Sequence, residues 1–131
     1  MRDSWIIYLG MYCTLEYAYE QQEAPNECLR EFLGDANPFI WADKGSADPA
    51  VWAEYEAAFL DRFADGAASD EDSLDFVQNY LAEKGAYSET VFPGDASTSF
   101  VKLFDDETTL TEWARVLDVI ERQEREARQE Q

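Results

Sequence analysis

The chain has 131 residues, the size of one compact domain, and 46% of them are apolar and 15% aromatic, which excludes the low-hydrophobicity disordered class. Its 29 Asp and Glu against 10 Lys and Arg give a formal charge of −19, which argues against direct binding to nucleic acid or to an anionic membrane. There is no histidine, so Ser-His-Asp and Cys-His nucleophile arrangements and histidine-bearing zinc sites are excluded as well.

Residues 5–19 hold eleven large apolar or sulfur-bearing side chains, from Trp5 to Tyr19, interrupted only by Gly10, Thr14, Glu16 and Ala18. The expectation is a helix capped by Ser4 and running to about Gln22, with a buried strand as the alternative for its first half. A surface helix carries one apolar stripe, whereas this one is apolar nearly all round. It therefore belongs at the centre of the domain or in a homodimer seam that would leave Tyr8, Tyr12 and Tyr19 partly exposed in one chain. The run from Trp5 to Cys13 is too short to span a bilayer. Arg2 alone precedes it and no small-residue cleavage pattern follows, so it reads as part of the fold rather than as a signal peptide. A cytoplasmic protein is expected, with Cys13 and Cys28 as buried free thiols and a bridge between them left open.

Ala24, Pro25 and Asn26 mark a turn into a second helix that places Cys28, Leu29, Phe32 and Leu33 on one face, with Gly34 expected as its C-terminal cap. Residues 35–47, DANPFIWADKGSA, read as an irregular but packed loop. Asp48-Pro49 begins a third helix with Trp52, Tyr55, Phe59 and Phe63 on one side and Glu54, Ala57, Asp61 and Asp65 on the other; Asp65-Gly66 should end it. Ser69 and Asp72 form a capping box for a fourth helix. Leu74, Phe76, Val77, Tyr80 and Leu81 face inward, Asp70 to Asp72 lie in its first turn, and Gly85 is expected to stop it.

Thr90 to Phe92 suit an extended segment, and Phe100 to Phe104 suit a short helix or a strand, a helix from about Asp95 being preferred. The run Asp105 to Glu107 would prepare the positive end of the last helix. That helix starts at a Thr109–Glu112 capping box and carries Leu110, Trp113, Ala114, Leu117 and Ile120 on one face. Beyond Ile120 no apolar stripe continues, and the pairs Glu121–Arg125 and Glu124–Arg128 have the spacing of helix-stabilising ion pairs.

The expected fold is mainly α: a compact bundle of about five or six helices around an aromatic-rich core, with room for a short extended segment near 88–104. Residues 1–120 would form the single domain and residues 121–131 a solvent-exposed charged helical tail.

No catalytic residues, metal site or cofactor emerge. Acid pairs such as Asp43 with Asp48 or Asp105 with Glu107 are expected by chance among 29 acids, and none follows the spacing of a calcium loop. The candidate partner-binding residues are Phe39, Ile40 and Trp41 with Asp43 and Asp48, an apolar anchor ringed by acid that suits a basic partner. The competing expectation is that these aromatics plug the end of the helical core. A non-enzymatic interaction protein, acting as a regulator or inhibitor of a basic protein, is the leading functional expectation. A nucleic-acid mimic bound to a DNA-processing enzyme and a carboxylate- or tyrosine-based enzyme are the alternatives.

Overall fold

A computed structural model describes residues 1–20, 27–91 and 109–129. Among these residues the chain is mainly helical: β1 (Arg2–Asp3), α1 (Ser4–Glu20), α2 (Glu27–Ala36), α3 (Pro49–Arg62), β2 (Ala67–Ala68), α4 (Asp70–Val91) and α5 (Thr109–Gln129). The turn expected at 24–26 and the elements expected between 92 and 108 lie outside the described residues.

The near-uniform apolarity of α1 makes it the centre of the bundle. Trp5 to Leu9, Met11, Tyr12 and Leu15 are all buried within this one chain, Tyr8 and Tyr12 included, while Tyr17 remains exposed. No surface stripe exists because neighbours pack around most of its circumference. The cap differs from expectation. The backbone N–H of Ile6 donates to Asp3 Oδ1 at 3.0 Å, so Asp3, not Ser4, closes the first turn.

α1 and α5 run in opposite senses, with Trp5 and Leu9 near Glu124 to Arg128 and with Cys13 to Tyr17 near Glu112 to Val116. They cross closely at Gly10. A Cβ added there would meet Leu117 Cδ2 at 2.7 Å and Trp113 Cη2 at 3.3 Å. α4 joins the pair through a buried polar link, in which Trp113 Nε1 donates to Ser73 Oγ at 2.9 Å and that hydroxyl donates to the Asp70 carbonyl.

α3 lays its aromatic stripe against α1 and α4. Tyr55 is fully buried, with ring centroids 4.9 Å from Tyr8, 5.6 Å from Phe76 and 5.4 Å from Tyr80. Trp52 stands edge-on to both Trp5 and Tyr8 at 5.1 and 5.2 Å. Edge-to-face geometry aligns positive ring edges with negative faces, adding about 0.5–1.5 kcal/mol per pair beyond burial. The expected inward residues of α4, Leu74, Phe76, Val77, Tyr80 and Leu81, are all buried. Those of α5 divide: Trp113, Leu117 and Ile120 are buried, but Leu110 is 42% exposed because it faces the solvated first turn of α4 at Asp70 and Glu71.

Three glycines expected to end helices behave differently. α2 continues past Gly34 to Ala36, which is fully buried and whose carbonyl accepts from Tyr8 Oη at 2.6 Å. That tertiary bond satisfies a last-turn carbonyl and removes the need for a glycine cap. α4 passes through Gly85 to Val91, so Thr90 and Val91 are helical rather than extended. An interior glycine costs only about 1 kcal/mol relative to alanine, too little to stop an established helix. α3 closes earlier than Asp65-Gly66: the Phe63 N–H caps onto the Phe59 carbonyl, and Gly66 turns the chain three residues later at φ +79°. That turn leads into β2, which pairs antiparallel with β1, Arg2 opposite Ala68 and Asp3 opposite Ala67. This ladder has no counterpart in the sequence expectations, since two residues are too few to show a period.

Gly34 offers a direct test, because a Cβ at that position meets nothing within 4 Å. Gly34→Ala is expected to raise stability by about 0.5–1 kcal/mol through helix propensity and a less flexible unfolded chain. A higher urea midpoint at unchanged slope is the expected reading; a lower one would show that the backbone there needs glycine.

The ladder brings Arg2 against the first turn of α4 and the side of α5. Its guanidinium, 11% exposed, is shared by Asp70, at 3.0 Å, Asp118 and Glu121. The hydrogen bond to Asp70 is the largest cause that raises its pKa, burial opposing it and the bonds to Asp118 and Glu121 adding to it, so the positive charge is strongly held. Glu121, the first residue of the expected tail, is thereby tied to the chain's N-terminal segment. Neither Glu121 with Arg125 nor Glu124 with Arg128 is among the ion pairs of the described residues.

Candidate partner-binding surface

Asn37 and Pro38 stop α2 from continuing and start a loop whose two ends are tied together. Ala47 N–H donates to the Asn37 carbonyl at 2.9 Å, and Asp48 N–H to the Asp35 carbonyl at 2.8 Å. Inside the loop, Asn37 Oδ1 accepts from Phe39 N–H at 2.9 Å, an Asx turn that sets the direction of the following residues. Ser46 is fully buried and acts as a hub: its hydroxyl donates to the Asp48 carbonyl and accepts from Trp52 N–H, and its own carbonyl accepts from Trp41 Nε1 at 2.8 Å. Pro38 is buried.

On this tied frame Phe39, Ile40 and Trp41 are 62%, 56% and 53% exposed. They do not plug the core, because the end of the bundle is already filled by Trp5, Leu9 and Pro38 beneath them. The Phe39 ring leans inward, edge-on to Tyr12 at 5.9 Å, and the Trp41 indole N–H is turned to the Ser46 carbonyl. Three consecutive large apolar side chains left in water carry a solvation cost that the fold does not require.

Of the acids expected around this anchor, Asp43 is exposed on the loop and forms no ion pair among the described residues. Asp48 sits at the loop's base as the N-cap of α3, its Oδ1 accepting from Ala50 N–H at 3.0 Å, so its carboxylate has a structural task beside any electrostatic one. Asp35 lies exposed in the last turn of α2, where the helix dipole disfavours negative charge.

The structure adds residues that sequence reasoning left out. Between the loop and the end of α5 runs a groove of about 410 Å³, floored by Trp5 and Leu9 and walled on one side by Pro38, Phe39 and Trp41. Glu124, Ala127 and Arg128 form the other wall, and Asp43 and Lys44 stand at the rim. The α5 residues are more than eighty positions from Phe39 and Trp41, and their polar sequence carries no signal of the contact.

A second depression of about 340 Å³ lies between α1 and α5 beside Cys13, Thr14, Tyr17 and Val116. Cys13 is a free thiol, pushed up to about 11 by burial and then by Glu16, so it is protonated and a poor nucleophile near neutrality. Among the described residues no group of three or more Cys, Asp or Glu side chains is placed to hold a metal ion, and no helix is long and apolar enough to cross a membrane. Comparison with known family models, curated proteins and solved structures gives no match for this chain.

Proposed function

We propose that this chain is a small acidic interaction protein of the cytoplasm that binds a basic protein partner, as a regulator or inhibitor, through the loop bearing Phe39, Ile40 and Trp41. The observation that carries this reading is the exposure of these three consecutive side chains on a loop tied at both ends and pinned through Ser46. A loop ordered before binding loses little entropy on association, and a tryptophan beside aliphatic and aromatic neighbours is the composition of an interface hot spot. The charge of −19 supplies long-range attraction for a cationic surface, with Asp35 and Asp43 as exposed local acids.

Affinity capture from the native host at low salt, with wild type and the Ile40→Ala/Trp41→Ala variant run in parallel, tests the reading. The partner should bind wild type and be lost from the variant, with affinity reduced about 30- to 1,000-fold, the range of hot-spot truncations. Its association rate should fall steeply as salt rises, because screening removes the steering. Partner binding indifferent to the double substitution would refute the loop as the anchor, and a salt-independent rate would refute the electrostatic part. Retained helical circular dichroism separates lost binding from lost fold.

A further inference from the structure

We propose that Arg2 pins an ionic strap: the N-terminal segment holds the polar end of α5 in its docked, helical state, and when the pin is lost that end opens as a local unit while the rest of the bundle stays folded. Past Ile120 this end has little of its own to keep it in place. Glu121 and Glu124 are half-buried, while Arg122, Gln123 and residues 125–128 are exposed. Neither Glu121 with Arg125 nor Glu124 with Arg128 is among the ion pairs of the described residues. A polar helix end with neither an apolar stripe nor ion pairs along it is marginal by itself.

The guanidinium supplies what is missing. Arg2 Nε and Nη2 donate to the two oxygens of Asp70, at 3.0 and 3.5 Å, Nη2 donates also to Asp118, and Nη1 to Glu121. Asp118 and Glu121 stand three residues apart on one face of α5, where its apolar stripe stops at Ile120. The planar fork therefore joins the first turn of α4 to the last apolar turn of α5. Arg2 is itself fixed by its pairing with Ala68, by the Asp3 cap on Ile6 and by Tyr55 Oη, which donates to the Ser4 carbonyl at 3.3 Å. Arg115 and Arg125 lie near these acids but form no ion pair with them among the described residues. Without the guanidinium, three carboxylates face one another and the local attraction becomes repulsion.

The docked end lies beside Trp5 and Leu9, both buried, and next to the exposed Phe39 and Trp41. Its release uncovers Trp5 and Leu9, so the strap sets how much apolar surface this end of the bundle presents, whatever the loop binds. Salt reaches the strap, because the Asp118 side chain is 71% exposed and those of Asp70 and Glu121 are 32% and 38% exposed.

Hydrogen exchange of the full chain, read by mass spectrometry, tests the strap with Arg2→Gln and with Asp118→Asn/Glu121→Gln, which frees α5 while leaving the bonds between Arg2 and Asp70. In both variants the amides of residues 121–127 should exchange about tenfold faster or more, the effect of losing charge-assisted hydrogen bonds, while those of α3 change less than about twofold. The emission of Nile red, a neutral dye that brightens on apolar surface, should rise in both. Raising salt to about 0.5 M should speed the same amides in wild type and leave the two variants nearly unmoved.

Unchanged protection of residues 121–127 in either variant would overturn the strap, and so would acceleration shared equally by α3, which marks a general loss of stability. Faster exchange without a rise in dye emission would overturn the uncovering of Trp5 and Leu9.

Discussion

Raising the pH through 10 is expected to unfold this protein steeply, with the buried tyrosines ionising only as the fold opens. Burial is the leading cause that pushes Tyr8, Tyr12, Tyr55 and Tyr80 well above the ordinary tyrosine value. Neighbouring charge adds to it, from Glu16 at Tyr12 and Glu54 at Tyr80. Tyr80 Oη is buried without a hydrogen-bond partner among the described residues, so nothing there would stabilise a phenolate. In the unfolded chain the same groups lose their protons near pH 10.

The sign follows from proton counts. Below about pH 10 both states hold these protons and stability does not depend on them. Above it the unfolded state binds fewer protons than the native state, so stability falls with rising pH. Each such group contributes about 1.4 kcal/mol per pH unit, and four together reach about 5.5 kcal/mol per pH unit. A domain with about 5–15 kcal/mol of stability is exhausted within roughly two or three pH units by such a slope. Urea unfolding at stepped pH, followed together with tyrosinate absorbance, measures it. Tyrosinate absorbance from the buried set should appear at the unfolding transition. Tyr55→Phe should lower the slope by about one proton. A full tyrosine titration completed below pH 11 with native circular dichroism intact would contradict the expectation.

Gly10→Val is expected to cost about 3 kcal/mol or more, at or beyond the usual range for overpacking. A first added carbon already meets Leu117 Cδ2 at 2.7 Å, and the Trp113 ring lies 3.3 Å away. Leu117 has a movable methyl, but Trp113 is fully buried and its indole is held by Ser73. The Leu117 methyl must shift within a fully buried site, and the rigid Trp113 ring limits where the added carbon can move instead. Valine adds two more methyl groups in the rotamer a helix imposes, and the α1–α5 contact must open. Gly10→Ala should cost less, since its gain in helix propensity offsets part of the clash. Chemical denaturation of both variants beside Gly34→Ala gives a test within one residue type: glycine replacement should destabilise at the helix crossing and stabilise at the open site. Equal effects would mean that helix propensity, not the close approach at Gly10, governs both positions.

The loop shows how far local sequence reaches. Phe39, Ile40 and Trp41 stand out because aromatic residues between Asn37-Pro38 and Gly45-Ser46 have no helical period to assign them to a core face. Whether they plug the bundle or face water depends on what already fills its end. Trp5, Leu9 and Pro38 do so, and that is a matter of packing volume. The far wall of the groove was illegible, since Glu124, Ala127 and Arg128 carry no apolar stripe and reach the loop only because α5 runs antiparallel to α1.

Local chemistry predicts the mainly helical class, the inward faces of α3 and α4, and the starts at Asp48 and Ser69, while for α1 it leaves the domain centre and a homodimer seam both open. Each of these is written in local chemistry, as a 3.6-residue period, a carboxylate or hydroxyl that accepts orphan amides, or a helix with no polar face. Where the helices end is set by contacts between elements. Gly34 did not stop α2, because Tyr8 bonds the Ala36 carbonyl from another helix. The tertiary structure also decided which acids are occupied, since the β1–β2 ladder delivers Arg2 to Asp70, Asp118 and Glu121. Helix stops and charge pairing are settled by groups distant in the chain, whose approach is set by how volumes pack rather than by any local pattern.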